Sequence, residues 1–204
     1  MLVDKLKKLL SKDYKIIGDI NNIEIYHISY GNIEQEVYVR CKKSVEGWTV
    51  YKVIRDNNYE IGSFIDEDYI TCLIYIICIR NFEGIKENNI LKRKLRTSVG
   101  ENEVENAIEI IKSECDLKYF SLDNEKKDAI CMECVNELYN VFYSSIEGNR
   151  VSILSNLTYN RALTVVYSYS ILLKEFNRVY ENLLEQYPMC ERYYNKLLRY
   201  YLNK

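Results

Sequence analysis

An α+β fold is predicted by three observations. Apolar and polar residues alternate with period two from Tyr14 to Phe64, an apolar helical run follows at once, and from Ile85 onward alternation gives way to helical spacing. The expected organisation is an antiparallel β-meander with one buried helix over residues 1–84, a short basic helix and joint over 85–100, and an α-helical bundle over 101–204. A chain of 204 residues with 48% hydrophobic content supports such a core.

The N-terminal segment MLVDKLKKLLSKDYK places Leu2, Val3, Leu6, Leu9 and Leu10 on one helical face, which predicts a short docking helix and not a secretory signal. Four or five strands follow. In IEIYHISY, Ile23, Ile25 and His27 share a face, and in QEVYVRCKK, Val37, Val39 and Cys41 alternate with Glu36, Tyr38, Arg40 and Lys42. One sheet face is therefore expected dry and the other wet. Turns are expected at Gly31-Asn32, Val45-Glu46-Gly47 and Asp56-Asn57-Asn58.

Asp66 is a helix cap in the sequence reading, with Glu67 and Asp68 at the positive end of the helix dipole. Apolar residues then surround the helix from Ile70 to Ile79, so it is expected buried on the dry face until Gly84 ends it. Beyond a joint near Gly100, helices are expected from Val104, from Ser121 or Asp123 to about Ile146, from Thr158 to Tyr187, and on to Leu202 after Pro188. The long segment carries a heptad (Tyr159, Ala162, Val166, Tyr169, Leu173, Phe176, Tyr180, Leu183, Tyr187) whose width favours an intramolecular bundle over a dimer zipper. No internal repeat or low-complexity tract is evident.

Composition sets further bounds. A formal charge of −2, from 28 basic and 30 acidic residues, gives no field that makes polyanion binding the default. Seven scattered cysteines, an odd number, fit a reducing cytoplasm better than a disulfide framework. The longest uncharged apolar run, Tyr69 to Ile79, is too short to span a membrane. The 20 tyrosines, together with abundant Ile, Lys and Asn, read as codon bias before they read as a recognition surface.

Little in the chain points to chemistry. Cys131-Met-Glu-Cys134 has the spacing of half a zinc site, with Cys115 and Cys190 able to complete a set. On the expected helix, however, both cysteines fall on the apolar stripe with Leu138 and Val141 and read as core thiols. His27 is the sole histidine and reads as a satisfied core residue. Asp66 with Asp68, and Glu101 with Glu103, read as helix-terminal charge. No Gly-rich phosphate cradle or nucleophile elbow is present, so neither a catalytic set, a metal nor a cofactor is expected. Lys92, Arg93, Lys94 and Arg96 form the one dense basic cluster, read as a solvated helix face with nucleic-acid contact the lesser alternative.

The stretch GWTVYKVIRDNNYEIGSFIDEDYITCLIYII, through Gly47, Trp48, Val50, Tyr51, Asp56, Gly62, Phe64, Asp66, Glu67 and Asp68, resembles small immunity proteins of bacterial polymorphic toxin systems. The resemblance implies a non-enzymatic protein that neutralises a cognate toxin by stoichiometric binding. Candidate partner-binding residues are Glu36 and Tyr38 on the wet face, Trp48 and Tyr51 on the next strand, and the acidic Asp66, Glu67 and Asp68. A regulatory or adaptor module, monomeric or dimeric through the C-terminal helices, is the alternative function, and a nucleic-acid-associated protein a third. The sequence leaves open whether Cys115, Cys131, Cys134 and Cys190 meet in space.

Overall fold

The computed structural model describes residues 1–97, 100 and 103–203, so four residues around the joint expected near Gly100 lie outside it. The described residues divide into two compact units: Met1–Gly84 with Val179–Leu197, and Ile85–Arg178 with Leu198–Lys204. No described helix is long and apolar enough to cross a membrane.

Unit 1 opens with helix α1 (Leu2–Leu9), whose Leu2, Leu6 and Leu9 are buried as their spacing requires. Strands β1 (Tyr14–Gly18), β2 (Asn22–Ser29), β3 (Asn32–Ser44), β4 (Gly47–Ile54) and β5 (Asn57–Phe64) form an antiparallel sheet in sequential order. Tight turns fix the register one or two residues earlier than the sequence suggests at two hairpins. Tyr30-Gly31 and Arg55-Asp56 are the two-residue loops, all four at positive φ, as a type I′ hairpin turn demands. Asn57 and Asn58, expected in the turn, are strand residues. Gly47, which opens the family-like stretch, has a backbone reason to be glycine. At φ +132°, an added Cβ would lie 2.4 Å from the Phe64 carbonyl oxygen.

Helix α2 (Glu67–Phe82) packs on the dry face, where Ile23, Ile25, Val39, Cys41 and Val50 are fully buried. Every residue from Ile70 to Cys78 is buried, so this helix has no wet side. Asp66 caps it, its Oδ1 accepting from the backbone N–H of Asp68 (3.0 Å) and Tyr69 (3.2 Å). Glu83 is the C-cap and Gly84 follows at φ +64°, the left-handed residue that stops the helix. His27 stacks on Phe82 (ring centroids 5.3 Å apart) and its Nδ1 lies 3.1 Å from Glu34 Oε2, a satisfied residue at the edge of the dry face.

Unit 2 departs from the expected helical bundle. After α3 (Asn89–Thr97) and α4 (Val104–Lys112), the segment expected as one helix from Ser121 or Asp123 to Ile146 is instead sheet. Strands β6 (Phe120–Ser121), β7 (Ala129–Val135), β8 (Leu138–Ser144) and β9 (Arg150–Leu157) lie in sequential order, with β6 parallel to β7 and the rest antiparallel. Residues 129–132 are buried on both faces of β7, so alternation is erased and the apolar run imitates a helix. The loop Asn136-Glu137, both residues at positive φ, is again a type I′ turn. Helix α5 (Tyr159–Gln186) follows at once, starting in unit 2 and ending in unit 1, and α6 (Tyr194–Tyr201) closes the described chain. Most of the heptad seam of α5, including Tyr159, Ala162, Val166, Leu173, Phe176, Tyr180 and Leu183, is buried within the single chain.

The element order therefore repeats. Three antiparallel strands and a helix beginning two or three residues later occur as β3-β4-β5-α2 and as β7-β8-β9-α5. The carbonyl of Asp66 accepts from Ile70 N–H at 3.0 Å, and that of Thr158 accepts from Ala162 N–H at 2.9 Å, closing the two first turns alike.

Candidate functional site

The sequence-derived candidates in unit 1 separate into three places. The first is the outer face of the five-stranded sheet, opposite α2. Antiparallel partners share a face, so Tyr38, Arg40, Tyr26, Glu24, Tyr51 and Val53 lie together there. Arg40 donates to Glu24 Oε1 (2.9 Å), Asn58 Oδ1 (2.9 Å) and the Tyr38 hydroxyl oxygen (2.6 Å), while Tyr26 OH donates to Glu24 Oε2 (2.6 Å). Tyr26 and Tyr38 stack with centroids 4.6 Å apart. The expected exposed Tyr38 is thus only 5% exposed, because its own strand neighbours cover it. Glu36 stands apart at the hairpin end, where its carboxylate meets Arg55 at 3.6 Å with both side chains in water.

The second place is the acidic start of α2. Asp68 accepts from Lys5 Nζ (2.7 Å) and from Tyr187 OH, and Arg192 reaches it at 3.3 Å. Asp66 accepts from Tyr193 OH besides capping the helix, and Arg192 lies 3.7 Å away. Tyr193's hydroxyl holds the Asp66 carboxyl below its usual range, helped by the two backbone N–H groups, and Lys5 and then Tyr187 do the same for Asp68. Burial followed by the Asp66 bond pushes the Tyr193 hydroxyl up to about 12. Asp66 and Asp68 are therefore a fastening for residues 187–193, beyond the capping role that the sequence shows.

Trp48 and Glu67 meet in the third place. Trp48 pairs with Lys43 and Phe64, three residues before Tyr51, and so lies on the face opposite Tyr38. Of the two candidates on the strand next to Tyr38, Tyr51 therefore shares its face and Trp48 does not. Trp48 is 5% exposed, with Lys43 Nζ 5.6 Å from its ring centroid. It lines both a small apolar cavity of 60 Å³, shared with Leu2, Ile20, Ile23 and Glu67, and an open groove of 420 Å³ lined also by Lys43, Val45, Glu46, Ile65 and Glu67. Val45 is fully exposed, Ile65 85% and Ile20 59%. Val45 and Ile65 thus stand in water on the groove, and Ile20 on the cavity. The sequence signal for this groove was the apolar residue at each of two turns, Val45 and Ile65, which turn chemistry does not ask for.

Unit 2 holds the remaining candidates. Cys131 and Cys134 are three apart on a strand, so they point to opposite faces: Cys131 is buried and Cys134 exposed. Both were expected on one helical stripe, and that reading fails with the helix. Among the described residues no group of three or more His, Cys, Asp or Glu is placed to hold a metal ion. Beside Cys134, a 470 Å³ groove contains Arg150, which binds Glu125 (2.7 Å) and Glu133 (2.7 Å) and lies 4.3 Å from the Phe142 ring centroid. That guanidinium, helped by the Ser144 hydroxyl, holds the Glu125 carboxyl below its ordinary range. The basic cluster lies on α3, with Lys92, Arg93 and Arg96 along a groove and Leu95 on the buried side.

No protein-family model, curated protein or solved structure matches the chain.

Proposed function

We propose that this chain is an immunity protein, a stoichiometric binder that neutralises a cognate bacterial toxin, and that it receives the toxin on the groove around Trp48. The carrying observation is the exposed Val45 and Ile65, which line one open groove with Trp48, Lys43, Glu46 and Glu67, and the exposed Ile20 on a small cavity that Trp48 also lines. Protein interfaces concentrate affinity in an aromatic centre shielded by apolar neighbours, with charges at the edge. The same groove is built from Gly47, Trp48 and Glu67, the beginning and the helix start of the stretch that resembles immunity proteins. The outer face with Tyr26, Tyr38 and Arg40 is a second, more polar surface whose side chains are already held in one geometry, which lowers the entropy lost on binding.

The test uses the product of a toxin-like gene adjacent to this one. Calorimetry is expected to give a one-to-one complex, and co-expression is expected to restore growth. Val45→Asp with Ile65→Asp is expected to weaken the complex by about thirtyfold or more, at ~2 kcal/mol or more for a lost hot spot, with the melting temperature nearly unchanged. A purified pair that does not associate refutes the toxin reading. A pair that associates with undiminished affinity in the double variant moves the site away from Trp48.

A further inference from the structure

We propose that unit 2 carries an anion site, between α3 and α5, for a ligand with adjacent phosphate groups. This site is independent of the toxin-binding groove, since its residues all belong to unit 2. A groove of 270 Å³ is lined by Asn89, Lys92, Arg93 and Arg96 of α3 and Thr164 of α5. The α3 residues recur at steps of three and four, so they form one face of that helix. Lys92 is balanced by Glu87 at 2.5 Å. Arg93 and Arg96 have no carboxylate partner among the described residues, although the chain has more acidic than basic side chains to offer.

The start of α5 adds to the same charge. Asn160 Nδ2 donates to the Leu95 carbonyl (3.2 Å), holding the first turn of α5 beside the last turn of α3. That first turn contains no acidic residue, and its third position is Arg161, exposed, without a carboxylate partner among the described residues and one turn before Thr164. A cation there opposes the positive end of the helix dipole. Local folding favours Asp or Glu at such a position, as α2 shows with Glu67 and Asp68. The arrangement thus concentrates uncompensated positive charge where the fold gains nothing from it.

Arg93 and Arg96 in the groove, with Arg161 in the adjoining first turn of α5, call for a ligand bearing several negative charges, and the planar forks of the guanidiniums match phosphate oxygens in pairs. No aromatic side chain among the described residues lines the groove, which favours contact to phosphates over stacking on bases. The shared chemistry is a run of phosphates, supplied either by a small oligophosphate or by the backbone of a nucleic acid strand.

Two probes separate these sources at physiological salt with the full chain: inorganic triphosphate by calorimetry, and a labelled twelve-nucleotide single-stranded RNA by fluorescence anisotropy. Saturable binding of triphosphate alone supports the site with a small ligand, and binding of RNA supports it with a backbone. In either case Arg93→Glu with Arg96→Glu, and separately Arg161→Glu, are expected to weaken binding about tenfold or more, as losing charge-assisted bonds requires. Lys94→Glu, on the other side of α3, is expected to leave affinity within about twofold. Arg161→Glu is also expected to raise the melting temperature, so a loss of binding in a more stable protein excludes misfolding as the cause. The proposal is overturned if neither probe binds, or if Lys94→Glu weakens binding as much as the groove variants do.

Discussion

The two strand-strand-strand-helix segments share an element order but solve the end of the helix in opposite ways. In β3-β4-β5-α2 the helix starts at Asp66 with Glu67 and Asp68, and every residue from Ile70 to Cys78 is buried. In β7-β8-β9-α5 the helix starts after Thr158, carries Arg161 in its first turn, and keeps one face in water. The first is optimised for folding, with acid at the positive pole and apolar residues on all sides. The second leaves the positive pole of its helix without an acidic residue in the first turn. A common local scheme therefore does not carry a common charge at the helix start.

The largest expected effect tests the burial difference. Leu73→Ala, at a fully buried position of α2, is expected to cost about 3 kcal/mol in urea unfolding, and Ile77→Ala, a turn later, a similar amount. Glu181→Ala, on the wet face of α5, is expected to change stability by less than about 0.5 kcal/mol. Equal losses at all three positions break the comparison.

Next comes the cap. Asp66→Ala removes two backbone acceptor bonds and the Tyr193 contact, and about 1–2 kcal/mol is expected to be lost in the same measurement. Asp66→Asn keeps a capping oxygen and isolates the charge. Because the folded carboxyls of Asp66 and Asp68 titrate below their unfolded values, their contribution is complete above about pH 4 and disappears as pH falls through the folded values. The urea midpoint of the native protein is therefore expected to fall more steeply below pH 4 than that of the Asp66→Asn, Asp68→Asn variant. Parallel curves contradict the fastening role.

A smaller gain is expected in the other segment. Thr158→Asp gives α5 the acidic start that α2 has, and is expected to add about 0.5 kcal/mol while weakening any anion bound beside Arg161. A loss of stability shows that the positive pole is already balanced. Thiol labelling changes no free energy but checks the corrected strand. One of the seven cysteines, Cys134, is expected to react in the native protein, and all seven in denaturant. Burial pushes the Cys41 thiol up to about 12, so its protection is chemical as well as steric.

Much of unit 1 was legible in the sequence. Alternation located its strands, Asp66 its helix cap and Gly84 its helix end, since each is set by neighbours a few residues away. The Trp48 groove was legible only as separate residues, because Val45 and Ile65 belong to different turns that pairing brings together. In unit 2 the spacing Cys131, Cys134, Leu138, Val141 fits a helical stripe, yet these residues lie on two strands with Cys134 and Leu138 exposed, and the Asn136-Glu137 turn between them was the available signal against the helix.

The sequence by itself determined the antiparallel meander, the all-round apolar helix with its acidic cap, the basic stripe on α3 and the lack of any local catalytic motif. These follow from side-chain period, capping chemistry and turn preference, which act over one or two turns of chain. Only the tertiary structure decided that residues 120–157 hold the strands β6 to β9, that Tyr38 and Trp48 lie on opposite faces, that Asp66 and Asp68 hold the segment from Tyr187 to Tyr193, and that Arg93, Arg96 and Thr164 line one groove. Each of those depends on which distant segment covers a residue, and burial on both faces of a strand removes the periodicity from which local reasoning starts.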